Sequence, residues 1–217
     1  IHPDPELSIS PLMQPENREL DSILSNSFGF GGNNASVVIG PGNGTGHPVE
    51  TTPIQPLAVI GSACLTGAGG TESTLSRFIH QESCAGTLPL TSISEGLPPR
   101  LIRRLKRLPR MALALAESVR QTAEPTDSPS SIFYGTGWGA LSETYDFLDK
   151  LFESNEKFCS PTDFIGSVHN AAAGQVAMHV NATGPNITTT GGDYSFEQAL
   201  LCAGLLSADG NPEPMLV

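Results

Sequence analysis

Apolar and polar positions follow one another along the chain in short, distinct blocks. Near the start, two β-rich runs at residues 22–25 (SILS) and 35–39 (ASVVI) predict two short strands. Between them lies NSFGFGGNN, whose glycines permit positive φ and close backbone approach. Two strands and a loop bury too little surface to stand alone, so this segment must pack on something else. From residue 57 the pattern changes. PLAVIGSA reads as a buried strand running into a loop. TESTLSRFIHQ predicts a short helix with a Thr or Ser cap. Residues 101–120 carry the strongest helical period, interrupted by Pro109, which fits the first turn of a second helix beginning near Leu108. A strand at 130–135, a helix at 140–153 and a helical region at 162–180 follow. An extended Thr-rich stretch at 186–190, a helix at 195–206 and the start of a strand at 214–217 complete the series. Strands alternating with helices predict an α/β layer architecture.

Composition divides the chain further. Residues 40–56, GPGNGTGHPVETTPIQP, hold four glycines and four prolines with almost no apolar content, which reads as a linker between a segment 1–39 and a domain 57–217. The 217 residues carry 11 Lys and Arg against 22 Asp and Glu, a net charge of -11, which disfavours nucleic acid and anionic membrane as general partners. Four scattered cysteines with no CxxC pair favour neither a disulfide scaffold nor a zinc site, and no metal or cofactor is expected. No run of about 18 apolar residues occurs, so no membrane-spanning helix is expected. The chain opens at Ile1 and stops at Val217 inside an apolar run; both ends read as cuts.

Several stretches could carry chemistry. The loop at 26–34 lacks GK[ST] and the dinucleotide glycine spacing, and the ASVVI after it favours a strand over a helix, so a hairpin turn outweighs a phosphate cradle. Phe28 and Phe30 in that turn point to a pocket or a partner. At 184–196, GPNITTTGGDYSF takes an extended stretch through two glycines directly into a helix, the arrangement of a nucleophile elbow. The residue at the turn is Asp193. It reads as the N-cap of the following helix, as an acid touching a ligand, or as a catalytic acid or base, and no titratable partner can be assigned to it. Of five histidines, His169 in SVHNAAAG has the small-residue context suited to lining a site, against a structural or surface role. Six of the eleven basic residues fall at 100–110, and Arg100, Arg103, Arg104 and Arg107 would share one side of a continuous helix. That island is either a solvated face or a dock for an acidic protein or a phosphate-bearing group.

Three motifs carry a resemblance. SNSFGFGGNNASVV at 25–38 closely resembles the C-terminal motif of β-ketoacyl-acyl carrier protein synthases, with Asn33 where that family commonly has Thr. HNAAAGQVAMHVNATGPNITTT at 169–190 resembles the segment before their active-site turn, and PLAVIGSACLTGAGG looks like the start of their N-terminal half. The order is reversed, an end motif preceding a beginning. That order reads either as the junction of two fused synthases or as a rearranged protein whose N-terminal hairpin completes the truncated domain. The resemblance implies a partial thiolase-like α/β fold, a C-terminal-type tail at 1–39, a linker at 40–56 and a truncated N-terminal-type half at 57–217. It implies a cytoplasmic, usually dimeric protein of fatty acid or polyketide assembly.

The family's nucleophile position falls on Asp193, where a carboxylate cannot form the acyl thioester that a thiolate forms. The segment bearing the family's two histidines is missing from the chain. The resemblance therefore implies no catalytic residue here, and a subunit like chain-length factors that pairs with a second ketosynthase-like subunit and shapes the acyl tunnel. Phe28, Phe30, His169 and Asp193 would line the pocket, and Arg100, Arg103, Arg104 and Arg107 would hold an acyl carrier protein. Two alternatives stand beside it: a piece of an active 3-oxoacyl synthase completed in trans, and a carrier-protein binding module.

Overall fold

The structure, a computed structural model, describes residues 12, 14–28, 34–41, 56–123, 128–207 and 213–217. The chain divides into two compact units, Ile1–Thr51 and Thr52–Val217, with the boundary inside the Gly/Pro-rich stretch. In the first unit, β1 (Ile23–Phe28) pairs antiparallel with β2 (Asn34–Ile39), with Leu24 opposite Val38 and Asn26 opposite Ser36. Both strands extend beyond the predicted runs at the loop-proximal end, because the ladder recruits Asn26, Ser27 and Asn34 irrespective of their polarity. Leu24 and Val38 expose more than half their surface, as do Val37 and Ile39.

The second unit is layered. Its sheet has the order β4-β3-β5, all parallel: β3 (Ser131–Gly135) lies between β4 (Asn186–Thr189) and β5 (Met215–Leu216). Successive β3 side chains point to opposite faces. Ile132 and Tyr134 face a cluster built by α4 (Arg107–Thr122) and α7 (Ala171–Val180), with Ala112, Leu113, Ala116, Ala172, Ala173, Val176 and Val180 buried in it. Phe133 faces the other side and packs with Ala199 and Ala203 of α8 (Ser195–Leu206). The buried positions of α4, at 109, 112, 113 and 116, have helical spacing, and the alanines on both helices let α4 and α7 approach closely. Burial, aided by the nearby Glu143 carboxylate, pushes the Tyr134 phenol up to about 12.

The remaining helices are α1 (Thr71–Ile79), α2 (Leu90–Ile93), α3 (Pro99–Ile102), α5 (Leu141–Glu153) and α6 (Pro161–Ser167). Three expectations are corrected and one is met. PLAVIGSA forms no strand: no ladder partner lies beside it among the described residues, and Val59 and Ile60 are exposed. The N-cap of α1 is Gly70 with no side-chain bond; Thr71 is its first helical residue, and its hydroxyl instead receives the Cys64 N–H at 3.1 Å. The interruption expected within 101–120 is present and gives two helices, its break lying where the backbone is extended at Lys106 (ψ -169). Pro109 then sits in the first turn of α4, where its missing N–H has no intrahelical partner to lose. The region 162–180 is likewise split, with a turn through Val168, His169 and Asn170.

Candidate functional site

The centre of interest is the turn joining β4 to α8. After Thr189 the chain passes Thr190 and Gly191 into a single 3-10 turn, Gly192–Tyr194, and enters α8 at Ser195. Gly192 has φ +61, a conformation that favours glycine. The turn is held by Ser195, which is 4% exposed. Its hydroxyl accepts the Gly191 N–H at 2.9 Å and lies 2.7 Å from the Gly192 carbonyl and 3.0 Å from the Thr136 carbonyl. The Thr189 hydroxyl donates to the Ser195 carbonyl at 2.8 Å. Ser195 was not singled out by sequence; its only signal is its place as the first residue of a predicted helix after a Gly-Gly turn.

Asp193 stands on this framework as an exposed side chain with no hydrogen bond or ion pair among the described residues. It is not the N-cap: Tyr194 holds that position, and no side chain caps the helix. The capping reading is corrected, because the 3-10 turn sets the carboxylate one residue too early to reach the first-turn N–H groups. Tyr194 and Phe196 beside it are 71% and 59% exposed.

A second strand end meets the turn. β3 runs into the loop Thr136-Gly137-Trp138-Gly139-Ala140, and Thr136 N–H extends the ladder to the Thr189 carbonyl at 3.0 Å. A Cβ on Gly137 would stand 3.3 Å from the Gly192 carbonyl, so this loop lies directly against the turn. At its other end Gly139, with φ +61, lies under the His169 imidazole, where a Cβ would collide with Nδ1. The Ala140 N–H points to that nitrogen at 3.4 Å. One loop thus borders both Asp193 and His169, yet no hydrogen bond joins them, and His169 is exposed rather than enclosed. Phe28 ends β1; Phe30 lies outside the described residues.

The basic island does not form the single helical face expected of it, since the break after α3 disperses it. Lys106 pairs with Asp146, Arg107 donates to the Leu88 carbonyl at 2.8 Å, and Arg110 donates to the Leu105 carbonyl and the Ser94 hydroxyl. Arg100, Arg103 and Arg104 have no protein partner among the described residues and line a groove of about 500 Å³. Arg107 is not part of its lining. Among the described residues no group of three His, Cys, Asp or Glu side chains is placed to hold a metal, and no helix is long and apolar enough to cross a membrane.

The strand–Gly-Gly–helix turn over a parallel sheet agrees with the family model for the β-ketoacyl synthase N-terminal domain, which matches residues 84–217, more than half of the chain. The chain belongs to the β-ketoacyl synthase family. Solved structures place the same fold. A chain of the complex of the ketosynthase ApeO with its chain length factor ApeC from Xenorhabdus doucetiae matches at TM-score 0.54 and 24% identity, over 69% of this chain and 60% of that one. The ishigamide ketosynthase/chain length factor matches at TM-score 0.59 and 25% identity, over 70% and 49%. A β-ketoacyl synthase from Burkholderia phymatum STM815 matches at TM-score 0.53 and 17% identity, over 72% and 44%. The chain therefore spans about half the length of these solved relatives. No curated protein matches it by sequence. The partial thiolase-like α/β fold implied by the motifs is the fold observed.

Proposed function

We propose that this chain supplies the N-terminal half of a ketosynthase-like subunit that performs no condensation itself, pairs with a second ketosynthase-like subunit and shapes the acyl tunnel. The observation that carries the reading is a fully built elbow bearing Asp193 in place of a thiol. Attack of a carboxylate on a thioester would release a thiolate and leave a mixed anhydride, an uphill exchange with a weak nucleophile. No base or orienting group stands beside Asp193 among the described residues to change that.

Unfinished surfaces support pairing. Among the described residues β4 is an edge strand, joined to β3 on one side only, and such an edge is a template for another chain. Asn186 Oδ1 and Thr188 Oγ1 on the same strand are buried without a hydrogen-bond partner among the described residues. The outer face of α8 exposes Phe196, Leu200, Leu201 and Leu205, and α5 exposes Leu141, Tyr145, Leu148 and Phe152 at helical spacing. In this reading the remainder of the subunit and the second subunit cover these faces. Residues 1–39 are the tail of a preceding synthase and 40–56 the tether. Native mass spectrometry of the chain mixed with a second ketosynthase-like subunit is expected to show a one-to-one assembly that Leu201→Glu disrupts. A chain that stays monomeric beside every such subunit would refute the pairing.

The three unpartnered arginines favour a second role in the same subunit, docking an acidic acyl carrier protein. Carrier binding should then weaken steeply with salt and fall at least tenfold in an Arg103→Glu/Arg104→Glu double variant, about 1.4 kcal/mol.

A further inference from the structure

The loop at 136–140 borders the elbow, and its far end is held by the turn between α6 and α7. The Ala140 N–H points at His169 Nδ1 at 3.4 Å, and Gly139, with φ +61, lies so close to the imidazole that a Cβ would collide with the ring. Beside them the Thr144 hydroxyl lies 2.8 Å from both the Ser167 and the Ala140 carbonyls, which ties the turn to the start of α5. The Val168 carbonyl accepts the Ala171 N–H at 3.0 Å and keeps the turn tight. At the loop's other end Gly137 stands against the Gly192 carbonyl of the elbow. Close contacts therefore run from His169 through Gly139 and Gly137 to Gly192. Between the two glycines sits Trp138, 80% exposed and the one tryptophan of the chain.

We propose that His169 is a positioning residue whose neutral imidazole seats the loop at 136–140, and Trp138 with it, beside the elbow, and whose protonation releases that loop. A ring nitrogen that accepts a backbone N–H carries no proton, so the hydrogen of the neutral ring is on Nε2. In the charged ring both nitrogens donate, and an Nδ1–H would meet the Ala140 N–H head on. Of the titratable groups on the surrounding elements, Asp163 of α6 is bonded to Lys150 and His179 of α7 to Glu117. Neither these nor Glu143 on the first turn of α5 nor Asp193 at the elbow bonds to His169 among the described residues. The brace is a property of this chain alone. Only its consequence, an effect on product length, rests on the reading that the subunit shapes an acyl tunnel.

The single tryptophan reads the loop directly in the full chain. In His169→Ala the Trp138 fluorescence anisotropy is expected to fall and the Ala140 amide to exchange about fivefold faster, the effect of one lost hydrogen bond on a local opening. His169→Asn offers a carboxamide oxygen in place of Nδ1 and takes up no proton, so it should keep the anisotropy of the unaltered chain. Lowering the pH from about 8 to about 5 spans the titration of an ordinary imidazole. The neutral ring makes the bond, so the loop of the unaltered chain is held at the upper end and freed at the lower, while His169→Asn stays unmoved. Asp193→Asn, the control for the neighbouring carboxylate, should keep the transition. Unchanged Trp138 and Ala140 in His169→Ala, no transition in the unaltered chain, a transition that survives in His169→Asn, or one that vanishes in Asp193→Asn would each overturn the proposal. If His169→Ala fails to fold, the pH comparison decides. Product lengths from an assembled pair carrying His169→Ala test the other reading separately: a freed loop with unchanged products contradicts tunnel shaping and leaves the brace standing.

Discussion

Gly135→Ala is expected to destabilise the domain by about 3 kcal/mol, lowering its melting temperature by roughly 6–12 °C. Gly135 ends β3 on the face turned to α8, and a Cβ there would stand 2.5 Å from the Ser195 carbonyl oxygen and 2.8 Å from the Phe196 nitrogen. Those are backbone atoms of the first turn of α8, already fixed by the Thr189 and Ser195 hydrogen bonds, so neither side can yield without opening the elbow. Gly191→Ala provides the contrast. Its Cβ would run into the Gln198 carboxamide, the far end of a flexible side chain that can rotate away, so a loss below about 1 kcal/mol is expected. Thermal unfolding followed by circular dichroism distinguishes them. Equal losses in the two variants would show that the close approach of β3 to α8 is not what fixes the turn.

Phe133→Ala is expected to cost about 3–5 kcal/mol, the largest loss from a side-chain truncation in the sheet. Phe133 is 1% exposed and is the one large fully buried side chain in its cluster; Ala199 and Ala203 bring only methyl groups to the contact, with Ile187, Cys202 and Met215 partly buried against it. Without the ring, α8 loses its anchor on the sheet while α4 and α7, on the opposite face, keep theirs. Hydrogen exchange should therefore speed up across residues 195–206 more than across 107–122. Ile132→Val, one residue away on the other face, should cost about 0.5–1.5 kcal/mol and leave the α8 exchange pattern unchanged. A uniform rise in exchange after Phe133→Ala would contradict the assignment of the two faces.

Much of this fold is legible in sequence. The run 195–206 has the bounds of α8, the alternating β3 face follows the period of two, and Pro109 falls in the first turn of its helix. What sequence missed has physical reasons. PLAVIGSA has the composition of a strand, but a strand exists only where a neighbour completes its ladder. α5 carries an apolar stripe at 141, 145, 148 and 152, yet that stripe faces outward and Glu143 faces inward. Periodicity shows that a helix is amphipathic; which face is inward depends on what covers the other, and the period alone does not carry that information. The elbow itself was legible from its glycines and the extended run before them. Its linchpin was not, because nothing in the spelling of TTTGGDYS distinguishes Ser195 from the hydroxyls at 188–190.

The proposed function rests on one statement about chemistry, that the elbow is built but not catalytic. The measurement that meets it most directly is acyl condensation by the assembled pair, comparing the unaltered chain with Asp193→Ala. Asp193 is exposed and makes no hydrogen bond among the described residues, so the substitution leaves the turn intact. Turnover within about twofold of the unaltered pair is the predicted result, equivalent to less than about 0.5 kcal/mol of transition-state stabilisation. A loss of about a hundredfold or more would place the carboxylate in the reaction and contradict the account.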